Sequence, residues 1–161
     1  MFIKDDLILL PDCIEILVKT YNSLVSGGIK LGAIIPRLFE DNIILHINAE
    51  LHKKGARAKK RPFVLNKSIG EVYKDYIEDL EEIQETVTGH ACCLYAASAL
   101  RSWGGYEEKA YKGTYSREET DQNFRLSKVD YKFFFQPKAM VEHRKIKMGG
   151  SRQTNELDLY H

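Results

Sequence analysis

The sequence predicts an α+β fold, with about four helices in the N-terminal two-thirds packed on a C-terminal, three-stranded antiparallel β-meander. Three observations predict it. Apolar residues recur at helical spacing in several stretches before Gly105, and after Gly105 they recur at every second position. Glycine pairs at 27–28 and 104–105 close helical stretches. Helices and strands segregated along a chain in this way belong to α+β rather than to a parallel doubly wound sheet. The 161 residues suit one domain, expected over 1–150, followed by a polar tail over 151–161.

The elements follow in order. Leu7–Leu10 is an apolar run suited to a short strand or the lead-in to a helix. Pro11 and Asp12 suit a helix start, where the missing proline N–H is not needed. Ile14, Leu17, Val18, Tyr21, Leu24 and Val25 then form a one-sided stripe that Gly27-Gly28 ends. Residues 29–36 read as a short apolar strand or linker. A second helix is expected from about Arg37 to Lys54, with Ile43, Ile44, Ile47 and Leu51 on one face, although Ile43–Ile47 also suits a buried strand. Residues 55–62 form a loop.

A third helix is expected over 68–87. Ser68 and Glu71 have capping-box spacing, in which each side chain bonds the other's free backbone N–H. Ile69, Tyr73, Tyr76, Leu80, Ile83 and Val87 recur in steps of four and three. His90–Trp103, rich in small residues, reads as the fourth helix. Tyr111, Gly113 and Tyr115 then alternate. Val129, Tyr131, Phe133 and Phe135 alternate with Lys128, Asp130, Lys132 and Phe134, and Met140–Met148 follows Pro137 as a further strand.

Composition removes several classes. No apolar run approaches the roughly 18–20 residues of a membrane span, so no membrane partner is expected. Acids near the N-terminus do not suit a secretion signal. Three cysteines, Cys13, Cys92 and Cys93, do not make a disulfide framework, which points to a reducing, cytoplasmic setting. Zinc-ligand spacings, a phosphate loop and a dinucleotide fingerprint are missing, so no cofactor is expected. His46 and Glu50 lie one helical turn apart, and two ligands do not make a metal site.

Charge carries the strongest functional signal. Lys53, Lys54, Arg57, Lys59, Lys60 and Arg61 place six cations in nine residues with no acid among them. Beyond Pro62 the sign reverses, with Glu71, Asp75, Glu78, Asp79, Glu81, Glu82 and Glu85 relieved only by Lys74. The net charge is only +1, so the field is local, and a local field selects partners where a net charge does not. The meander adds Lys128 and Lys132 to a basic and aromatic set that includes Tyr106, Tyr111, Tyr115, Phe124 and Tyr131. Cations beside exposed aromatics suit a phosphate backbone with stacked bases. The expected function is therefore non-catalytic binding or assembly. Its partner would be a polyanion, either nucleic acid or an acidic protein surface. The acidic helix 68–87 offers an opposite surface for a homo-oligomer, and assembly proteins, including those of viruses and phages, belong to this class.

Two catalytic alternatives have their own residues. Cys92 and Cys93 near an expected helix start, His143 on a later strand, and then Asn155 and Asp158 give the order thiol, base, orienting group. That order over 90–158 is similar to papain-like and transglutaminase-like enzymes, and the resemblance implies a thiolate at Cys92 or Cys93 with His143 as its base and Asn155 as its orienting residue. Asp121, followed by Asp130-Tyr131-Lys132, resembles restriction-type nucleases, which implies Mg²⁺ on Asp121 and Asp130 with Lys132 assisting the attacking water.

Overall fold

Two stretches carry too many adjacent apolar residues for a strand with one wet face: Ala33-Ile34-Ile35-Pro36 and Phe133-Phe134-Phe135. Such runs suit strands covered on both sides. They form the centre of the structure, a computed structural model that describes residues 1, 7–40, 63–66, 71–74, 82–89, 92–104 and 118–143. The elements are β1 (Leu7–Leu9), α1 (Cys13–Ser26), β2 (Leu31–Glu40), β3 (Phe63–Asn66), β4 (Glu71–Lys74), β5 (Gln84–Thr86), β6 (Leu94–Tyr95), α2 (Ala97–Trp103), α3 (Glu118–Ser127) and β7 (Lys132–His143).

Strands β1, β7, β2 and β6 lie in that order in one mixed sheet, and β5 also pairs with β7. β7 runs parallel to β2 and antiparallel to β1 and β5. β5 pairs with Phe133–Phe135 and β1 with Val141–His143, so both lie along β7, at its two ends. Adjacent residues of the central pair feed opposite layers. Ile34 and Phe134 pack with Cys13, Leu17, Leu24 and Val141 under α1. Ala33, Ile35, Phe133 and Phe135 pack with Ala99, Leu126 and Tyr131 under α2 and α3. The result is three layers, helix–sheet–helix, with the core on both faces of β2 and β7.

The two central strands are entered in the same way. At the end of α1, Gly28 N–H donates to Val25 O and Ile29 N–H to Leu24 O, with Gly28 at φ 80°. At the end of α3, Asp130 N–H donates to Ser127 O and Tyr131 N–H to Leu126 O, with Asp130 at φ 65°. Both are Schellman caps, which satisfy the last helical carbonyls and seat an apolar residue just past the left-handed position. The Ile29–Leu24 and Tyr131–Leu126 pairs each belong to a single core cluster. Aspartate takes the left-handed conformation more readily than most side chains, so Asp130 substitutes for glycine. Lys30 ties the two caps together. Its carbonyl accepts from Lys132 N–H at 2.9 Å, its ammonium donates to Val129 O at 2.6 Å, and that ammonium sits 4.6 Å from the centre of the Tyr131 ring. A cation on the Val129 carbonyl, just beyond the end of α3, also matches the negative end of the helix dipole.

Midway, the β2–β7 register breaks. Pro36 stands opposite Gln136, but Arg37 stands opposite Met140, so Pro137, Lys138 and Ala139 are extra on β7. Prolines offer no N–H to a ladder and collect at such breaks. Gln136, nearly fully buried, holds the break closed: its Oε1 accepts from Lys138 N–H at 3.1 Å and its Nε2 donates to Thr20 Oγ1 at 2.7 Å. The Thr20 hydroxyl in turn donates a hydrogen bond to Ile16 O at 2.8 Å. This buried chain of bonds ties α1 to the irregular part of β7.

The α+β expectation is corrected here. Among the described residues there are three helices, and the sheet has five strands and is mixed, not a three-stranded antiparallel meander. The described residues of the expected third helix, 71–74 and 82–87, are not helical. Phe63–Asn66 and Glu71–Lys74 pair as an antiparallel hairpin of their own, and Gln84–Thr86 is a strand. Val64, Leu65, Val72 and Tyr73 favour strands, and pairing across the hairpin outweighed the local capping-box signal. The fourth helix is shortened to Ala97–Trp103, with β6 in place of its first turns. The Pro137 boundary did not split two strands, because β7 passes through it as a bulge. Within residues 29–36, strand β2 begins at Leu31, and it continues to Glu40 where a second helix was expected. The remainder of that second helix, the 111–115 strand and the 151–161 tail lie outside the described residues.

Two substitutions test this architecture. A β-carbon on Gly32 would lie 2.7 Å from Phe133 Cζ, a ring fixed in the core. Gly32→Ala is expected to cost about 1–3 kcal/mol in chemical denaturation. Asp130→Gly should leave stability within about 1 kcal/mol of wild type, whereas Asp130→Val should lose about 1–2 kcal/mol from left-handed strain.

Candidate functional site

The thiols come first. Cys92 and Cys93 precede β6 and do not open a helix, so no helix dipole acts on them as expected. As neighbours on an extended chain they point to opposite layers: Cys92 lies in the α1 core and Cys93 in the α2–α3 core. Both are buried. Burial pushes the Cys92 thiol up to about 12, with the nearby Cys13 thiol adding to the shift and the N-terminal amine opposing it weakly. Burial raises Cys13 as well. Burial among apolar side chains with the proton retained is the setting of a packing cysteine, whereas a nucleophile requires the thiolate.

His143 does not meet them. It pairs with Leu7 and lies level with Glu40 of β2, whereas Leu94 pairs with Ile34, six residues earlier on β2. Even after the one or two residues by which the cysteines precede Leu94, more than about 12 Å of sheet separates them from the His143 backbone. Asn155 and Asp158 lie outside the described residues.

The acid–acid–lysine set is spread over α3, the turn after it and the first residue of β7. Asp121 accepts a hydrogen bond from Arg125 one turn along α3. Asp130 is the left-handed cap residue before β7, off the strand on which Lys132 sits. The expectation that Asp130 and Lys132 project from one strand face is thereby corrected. Lys132 Nζ lies 3.1 Å from Glu85 on β5. Among the described residues, no group of three or more His, Cys, Asp or Glu side chains is placed to hold a metal ion.

The cationic run Lys53, Lys54, Arg57, Lys59, Lys60 and Arg61 lies outside the described residues, as do His46, Glu50, Tyr106, Tyr111 and Tyr115. Of the meander set, Lys128 is exposed, Phe124 is half-buried and Tyr131 is buried in the α2–α3 core. Hydrogen bonding to Ser102 above all, with Ser98 and the charges of Lys30 and Arg101 assisting, holds the Tyr131 hydroxyl below the usual tyrosine range against desolvation. The acidic surface expected on helix 68–87 loses its basis, because β4 and β5 occupy parts of that segment.

One polar cluster escaped the sequence reading. Tyr95 O–H donates to Asn123 Oδ1 at 3.0 Å, and Asn123 Nδ2 donates to Thr88 Oγ1 at 3.4 Å. Thr86 O–H donates to Thr88 O at 3.1 Å. Beside Asn123 on α3, Gln122 is fully buried, and neither of its amide atoms has a hydrogen-bond partner among the described residues. The only apolar side chains of α3 are Phe124 and Leu126, so it lacks the apolar stripe that reveals a helix. Its buried face is largely amide and hydroxyl, which sequence patterning reads as a loop.

No family model matches this chain, and neither the curated proteins nor the solved structures give a match. Among the described residues, no helix is long and apolar enough to cross a membrane.

The thiol assignment is testable in two ways. Iodoacetamide at neutral pH should leave Cys13, Cys92 and Cys93 unmodified in the native protein and label all three after denaturation, read by mass spectrometry. Cys92 keeps its proton in the folded state to about 12 but in the unfolded state only to about 9.0. Its contribution to stability is therefore whole below pH 9 and lost between pH 9 and 12, by at most about 1.4 kcal/mol per pH unit. Denaturation of wild type against Cys92→Ala across that window should show a shallower decline in the variant.

Proposed function

We propose that this protein is a non-catalytic binding protein that engages a polyanion, nucleic acid in the first place, through the cations of residues 53–61. The single observation that carries the reading is six Lys and Arg residues in nine positions with no acid between them. Phosphates are met by such residues through charge attraction and release of condensed counterions, a mechanism that needs density of charge more than precise geometry. Lys128, exposed at the end of α3, adds a further cation. Lys132 adds less, because Glu85 already matches its charge. The separation of the thiols from His143 and the capping role of Asp130 favour binding over either catalytic alternative.

The test is polynucleotide affinity measured by fluorescence anisotropy against salt concentration. Engagement of six phosphates on duplex DNA gives a slope of log affinity against log salt near −5. Replacing Lys59, Lys60 and Arg61 with Ala should weaken binding and reduce that slope by about 3. Lys132→Ala should change it by less than about 1. Binding of an acidic polypeptide in place of DNA or RNA would move the partner to an acidic protein surface. Binding of neither at low salt overturns the proposal.

A further inference from the structure

We draw no further inference here: the strongest candidate, the fully buried Gln122 amide on α3, carries nothing because no second observation in the structure points to a ligand there.

Discussion

The structure depends on the parallel pairing of β2 with β7. Two strands far apart in sequence lie side by side, and each is apolar at consecutive positions, so neither face of the pair tolerates water. This demand sets the number of layers. One helix covers one face, and α2 and α3 cover the other. Parallel neighbours also require a long connection, and the chain between them supplies β5, β6, α2 and α3. The matching caps at Gly28 and Asp130, with Lys30 reaching from one to the other, start both strands in register.

Against this apolar centre, the polar groups kept inside are few and specific. Gln136 satisfies a backbone N–H exposed by the three-residue bulge and bonds Thr20 on the helix above. Without that amide, the break in the ladder would leave a donor without a partner in a dry environment, which costs more than an ordinary hydrogen bond contributes. Tyr95, Asn123 and Thr88 fasten β6, α3 and the turn after β5 on the other side. Gly89 shows how tightly that turn packs: a β-carbon there would lie 2.6 Å from Ile35 Cγ1 and 2.9 Å from Cys93 Sγ. The cysteines therefore belong to the packing, and their chemistry follows from burial rather than from a catalytic neighbour.

Local signals fared unevenly for physical reasons. Helix α1 was legible because its apolar spacing and its glycine stop act within the segment itself, although only Leu17, Tyr21 and Leu24 of the expected stripe face the core while Ile14, Val18 and Val25 are exposed. The acidic stretch after Pro62 was misleading. A capping box and a four–three repeat describe what an isolated segment prefers, and hairpin pairing between 63–66 and 71–74 supplies bonds that such a preference does not include. Helix α3 was invisible because its inward positions are Gln122 and Asn123, whose burial depends on neighbours from β6 and the 86–88 turn. The candidate residues divide similarly. The charge run was readable as composition, whereas the separation of Cys92 from the His143 backbone required the strand registers, and the cap position of Asp130 required the backbone angles.

By itself the sequence determined the first helix, the strand character of the phenylalanine run, and the density of cations at 53–61, because each arises from residues adjacent along the chain, whereas it left 29–36 open between strand and linker. Tertiary structure alone decided that β2 and β7 lie parallel, that α1 covers one face while α2 and α3 cover the other, and that Asp130 caps a helix instead of lining a strand. Those outcomes turn on which distant segments exclude water from each other, and burial between segments more than a hundred residues apart leaves no periodic trace in either one.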